Sequence, residues 1–324
     1  MTNLLVGLLG ALLATNQPVA VSNVAAKAVV ASKPVADPND PVEQEYQRLL
    51  ELDDTTLEEV DRIIRENEAF AAQGAPAPAG SVRQRIQTHF EPVRKAYEDF
   101  LKRHPDHARA RLAFGSFLGD IKDEDGAHDQ WEHARQLDPK NPAAWNNLAK
   151  YYAHCGPVTK AFEYYAKAIE LEPNEPLYYQ SLGTVVYLFR TAAMEHYRIN
   201  EAQVFDKALD LYAQALQRDP TNFLLATDIA QTYYGIRPPR TEDALLAWRY
   251  AQKLARDDIE REGIYIHFAR FKLNAGRFDE ARRDLDSVTN AMYADLKKRV
   301  LRSLELKEAE AKGTNAPPSK EGKN

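Results

Sequence analysis

The tripeptide pattern Leu137-Asp138-Pro139 returns as Leu171-Glu172-Pro173, with the two prolines 34 residues apart, and Arg218-Asp219-Pro220 carries it again. No other feature limits the fold as tightly. Proline lacks an N–H and fixes its own φ, so each of these prolines stops a helix that has just ended. Between them, apolar residues such as Trp145, Leu148 and Tyr152 recur at helical spacing. A fixed period of this length marks a series of helical hairpins, each leaving an apolar face that only its neighbour can cover. Composition agrees, because 14 glycines in 324 residues, with alanine plentiful, favour helix over strand.

The best copy of the period is 142–175. It carries Trp145, Leu148, Ala149 and Tyr152 on its first helix, Gly156 in the turn, and Ala161, Tyr165, Ala168 and Pro173 after it. Residues 108–141 repeat the order through Phe114, Gly115, Leu118, Ala127, Trp131, Ala134 and Pro139. Residues 176–222 keep Tyr179, Leu182, Gly183, Ala208, Tyr212, Ala215 and Pro220. Ile229, Ala230, Tyr233, Ala244, Trp248 and Ala251 follow in 223–258; Tyr265, Phe268, Ala269, Gly276, Ala281 and Leu285 follow in 262–295. Small residues such as Ala149 and Ala161 let the two helices approach closely, while Trp145 and Tyr165 fill the gap to the next hairpin.

This pattern resembles the tetratricopeptide repeat (TPR). The resemblance implies an all-α, right-handed α-solenoid of antiparallel helix pairs with about five units across an array at 81–295. A degenerate unit ending in Tyr97, Phe100 and Pro105 precedes the five. A capping helix at 291–311, with Met292, Leu296, Val300 and Leu304 on one stripe, closes the series.

Upstream of the array, Leu4 to Ala14 is an uninterrupted small and apolar run. Its length suits the core of a secretory signal and falls short of the ~20 residues of a membrane span. We therefore read 1–28 as a signal peptide, although no Lys or Arg precedes the run, and 29–39 as a disordered linker. Export to the periplasm or the exterior is expected, with a cytoplasmic location as the alternative. Asp40-Pro41-Val42-Glu43 and Thr55-Thr56-Leu57-Glu58 both carry helix-start signals. They predict an acidic amphipathic helix pair over 40–73, with Val60, Ile63, Ile64 and Phe70 on one stripe of the second helix. Gln73 to Gly80 reads as a hinge, covering 74–80, and 312–324 as a disordered tail.

No catalytic, cofactor or metal constellation is expected. His128 and His133 sit five apart, ~140° from each other around a helix, and so do not share a metal. Gly115 and Gly119 match a membrane helix-pairing motif, but Gly115 fills the small-residue packing position of its repeat. The single cysteine, Cys155, follows His154 in a turn with no third group to orient the pair, and reads as an incidental thiol. A net charge of −6 argues against a nucleic-acid partner.

By resemblance, five positions of each first helix face a concave groove. Carried over, they are Arg109, Asn146, Asn147, Lys150, Gln180, Ser181, Thr184, Tyr187, Thr227, Asp228, Gln231, Tyr234, His267 and Arg270. An amide can donate and accept together, matching a peptide unit. The family's carboxylate clamp is incomplete, because Gln180, Ser181 and Thr184 do not extend the positive charge of Lys150. The expected function is a non-enzymatic scaffold that binds a protein or extended peptide of neutral-to-mixed charge. A structural subunit of an envelope or polysaccharide-export assembly and a cytoplasmic adaptor are the alternatives. The third repeat, 47 residues long, is expected to lengthen both of its helices, either projecting Phe189, Met194, Tyr197 and Phe205 or packing them within the hairpin.

Overall fold

The computed structural model describes residues 4–14, 39–72 and 82–313, and every regular element among them is helical. The expected hinge, the linker up to residue 38 and the tail from 314 lie outside the described residues. In chain order the helices are α1 (Leu4–Ala14), α2 (Pro41–Ala72), α3 (Val82–Arg103), α4 (Ala108–Asp120) and α5 (Glu124–Leu137). Then come α6 (Pro142–Cys155), α7 (Val158–Leu171), α8 (Pro176–Leu188), α9 (Arg190–Tyr197) and α10 (Glu201–Arg218). The series ends with α11 (Phe223–Thr232), α12 (Thr241–Leu254), α13 (Asp258–Asn274), α14 (Phe278–Asp286) and α15 (Ala294–Ala311).

Two compact units hold these helices: Ala25–Asn174, the N-terminal unit, and Glu175–Asn324 together with Met1–Val24, the C-terminal unit. The N-terminal unit is a short α-solenoid of three pairs, α2 with α3, α4 with α5 and α6 with α7. Local chemistry starts its helices where the sequence places them. Asp123 accepts from the Gly126 N–H, and Asn141 accepts from the Ala143 N–H beside Pro142 in the first turn. Inside, Tyr97 stacks on Phe114 with ring centroids 5.0 Å apart, and Ala149, Ala161 and Ala168 are fully buried. Gly115 permits the close α4–α5 approach, since a Cβ there would lie 2.5 Å from the Trp131 ring.

The acidic helix pair expected at 40–73 is one continuous helix. Thr55 and Thr56 do not cap a second start; their hydroxyls donate to the Glu51 and Leu52 carbonyls one turn back. With no Gly or Pro between Val42 and Ala72, nothing breaks the helix there, and α2 supplies the partner that α3 needs. Val60 and Ile63 are buried on its stripe, but Ile64 and Phe70 are exposed.

The C-terminal unit pairs α8 with α10, α11 with α12 and α13 with α14, and α15 packs on the last pair. Val300 and Leu304 bury in that cap, whereas Met292 sits outside it in a 3-10 turn and is 69% exposed. The first helix of the last pair, α13, starts at Asp258, four residues before the repeat register at 262, because the Asp257 side chain caps the Glu260 N–H.

The insertion also departs from expectation. The first helix, α8, does not lengthen; it ends at Leu188, and the added residues form the separate helix α9 before an 18-residue α10. The chain leaves helical geometry at Phe189 and again at Arg198, whose φ of 55° is left-handed. Phe205 is buried, so the apolar side of the insertion packs inward there, while Phe189 remains 38% exposed.

Candidate peptide-binding faces

In the N-terminal unit, α4 and α6 together present one polar face. The Asn147 amide donates to Ser116 Oγ at 3.3 Å, and the Asn146 amide donates to Asn147 Oδ1 at 3.2 Å. One turn further along α6, Lys150 is exposed. Its charge reaches Asp120 at the end of α4, whose carboxyl is pushed upward by burial and drawn back down by Lys150 and Lys122. An amide has two N–H groups and an acceptor oxygen, so Asn146 and Asn147 keep bonding capacity beyond these two contacts. Ser116 was not singled out in the sequence, although it stands in its repeat where Lys150 stands in the next. That equivalence was the available signal.

Arg109 has a different task. Its Nη1 lies 2.9 and 3.1 Å from the two Glu43 carboxylate oxygens, and its guanidinium sits 4.8 Å from the centre of the Tyr46 ring. It fastens α2 to the start of α4. The apolar stripe of α6 is likewise committed to packing: Leu148 is fully buried, Tyr152 nearly so, and Trp145 Nε1 donates to the Pro139 carbonyl at 2.9 Å.

In the C-terminal unit the carried-over positions divide. Gln180 donates to Asp228 Oδ2 at 3.0 Å, tying α8 to α11, and burial raises the Asp228 carboxyl against that bond. Thr184 Oγ1 bonds the Gln180 carbonyl and the Tyr212 hydroxyl, both at 2.9 Å. The Thr227 hydroxyl returns to the Leu224 carbonyl, Ser181 is half-buried, and Gln231 and Arg270 are exposed. Tyr187 is half-buried, with Arg190 5.8 Å from its ring centre. His267 lies flat on Trp248, with ring centroids 3.8 Å apart and planes 9° apart, and shares a 2.9 Å hydrogen bond with the Tyr234 hydroxyl. Burial first, then the neighbouring Arg270, lowers its pKa to about 4. A neutral imidazole stacked on Trp248 is packing material, and this face is narrower than the family positions imply.

Among the described residues no group of three or more His, Cys, Asp or Glu is placed to hold a metal ion, and Cys155 is exposed. No described helix is long and apolar enough to cross a membrane.

A family model described as Tetratricopeptide repeat matches residues 142–175, the span of α6 and α7. The chain is a tetratricopeptide repeat protein. It is 26% identical over 137 residues to a TPR repeat-containing protein of Methanocaldococcus jannaschii, covering 42% of this chain and 21% of that one. It is 30% identical over 81 residues to the Photosystem I assembly protein Ycf3 of Rippkaea orientalis, covering 25% of this chain and 47% of that one. The matches thus span less than half the length of either curated relative. Among solved structures, YrrB, titled a TPR protein with an unusual peptide-binding site, aligns at 14% identity and a TM-score of 0.49 over 66% of this chain and 99% of its own. Pseudomonas aeruginosa pilF aligns at 15% identity and 0.49 over 80% and 99%.

Proposed function

We propose that this TPR protein is a non-enzymatic scaffold that holds an extended polypeptide of neutral-to-mixed charge on the α4–α6 face. The carrying observation is the Asn146–Asn147–Ser116 chain of amides and hydroxyl, flanked by the exposed ammonium of Lys150 and the Asp120 carboxylate. Side-by-side amides match the alternating C=O and N–H groups of an extended backbone. A cation and an anion at one end suit a ligand with both charges better than an acidic C-terminus. The test is a photoreactive amino acid placed at residue 147, with residue 163 on the exposed side of α7 as control, irradiated in the native host. Cross-links to a polypeptide at 147 and none at 163 support the reading; equal labelling at both overturns it.

The apolar run in α1 supports export of the chain, with processing before residue 40. Mass spectrometry of the protein from its native host is expected to miss the first ~20 to 30 residues. Intact Met1 or Thr2 in the soluble cytoplasmic fraction would contradict export.

A further inference from the structure

The helix α1 does not stand apart from the array: it packs against both α10 and α12, the second helices of two successive repeats. Leu5 and Leu9, one turn apart, are buried there, at 0% and 1% exposure. The opposite side of α1 is open, with Leu4 half exposed and no neighbour within 4 Å of a Cβ built on Gly7 or Gly10. At the far end, Lys253 of α12 donates from Nζ to the Leu12 carbonyl at 2.7 Å. Leu12 lies in the last turn of α1, the negative end of the helix dipole. A cation placed there recognises the end of a helix.

The two supporting helices are built to be covered. Val204 and Ala213 in α10 are both fully buried and nine residues apart, which places them on opposite sides of that helix. In α12, Leu245 and Leu254 stand in the same relation. A repeat's second helix packs on its own first helix and on the adjoining repeat; α1 provides additional cover for both α10 and α12.

We propose that α10 and α12 form a seat for an apolar helix of about three turns from a partner polypeptide, which α1 occupies in cis. The seat has two recognition elements: an apolar trough for side chains spaced four apart, and Lys253 for the helix C-terminus. It lies on second helices, apart from the first-helix positions at which the proposed extended peptide binds, so the two readings fail independently. Undocking or removal of α1 opens the seat, and docked α1 closes it.

The experiment uses the full chain and a fluorescent peptide of residues 1–16 with solubilising lysines at its amino end. Three proteins are compared by anisotropy: wild type, Leu5→Asp/Leu9→Asp, and that pair with Lys253→Glu added. The double variant dislodges α1 while leaving α10 and α12 unaltered, and is expected to bind the peptide at least tenfold tighter than wild type. Adding Lys253→Glu is expected to weaken that binding at least threefold, and a peptide bearing the same two aspartates is expected not to bind. Circular dichroism melting confirms that each variant folds. A folded double variant that binds no tighter than wild type overturns the seat. Equal binding with and without Lys253→Glu overturns the helix-end recognition. Concentration-dependent dimers of the wild type, lost in the double variant, would replace the partner helix by α1 of a second copy.

Discussion

Asn147 and His267 are each the sixth residue of their repeats in the shared template, and they have opposite fates. Asn147 is half-buried on a polar face and bonds another polar side chain. His267 is pressed onto Trp248 and bonded to Tyr234. The ninth positions of the same two repeats, Lys150 and Arg270, are both exposed. A repeat template therefore fixes where a side chain starts, but the bulk of its neighbours decides whether a ligand can reach it. Opposite Asn147 stands Ser116, whereas opposite His267 stand two large aromatic rings.

The severest way to break this contrast is Trp248→Ala. Trp248 is 1% exposed, and its removal is expected to cost about 3–5 kcal/mol in denaturant unfolding. It should also return the His267 titration toward the ordinary histidine range, read by NMR. A change under about 1 kcal/mol would show that His267 is not held by that stack.

A smaller effect separates the units by pH. His267, in the C-terminal unit, titrates at about 4, depressed first by burial and then by Arg270. As pH falls from ~6.5 toward 4, the unfolded chain takes up a proton that the fold refuses, and this contribution to stability is lost. Asp53, in the N-terminal unit, is raised to about 6, chiefly by burial, with Asp54 and Asp120 adding and the Tyr97 hydrogen bond opposing. Its favourable contribution is present below the ordinary carboxylate range and is lost as pH rises through 6. Acid therefore weakens one unit's site and strengthens the other's. His267→Phe is expected to gain on wild type by about 1–3 kcal/mol between pH 7 and 4. Asp53→Asn is expected to lead by a similar amount at pH 7 and to lose that lead by pH 4. Parallel pH profiles for all three proteins would contradict both assignments.

Much of the fold was legible because proline spacing, small residues at close approaches and capping side chains are local signals that tertiary packing did not override. Three features were not legible. Thr55 and Thr56 offered a helix start, yet the same hydroxyls satisfy carbonyls inside a continuous α2. The break at Phe189 carries no glycine or proline, so composition gave no hint of α9. The seating of α1 depends on contacts some 200 residues away, with α10 and α12, which a period-based reading does not test. Of the candidate faces, the placement of Asn146, Asn147 and Lys150 along one side of α6 was readable from the template. The diversion of Arg109 to Glu43, and of His267 to Trp248, depends on what lies across from them.

The smallest expected change in stability tests the central claim most directly. Replacing Asn146, Asn147 and Lys150 together by alanine should alter the unfolding free energy by no more than about 0.5 kcal/mol per site. Losing amide and ammonium contacts to a bound peptide is expected to cost about 1–3 kcal/mol, up to roughly a hundredfold in affinity. The measurement is quantitative pull-down from the native host, followed by titration of the polypeptide cross-linked at residue 147, for wild type and triple variant side by side. A normally melting triple variant that loses that polypeptide at least tenfold is the predicted result; one that retains it at wild-type affinity would contradict the assignment of the α4–α6 face.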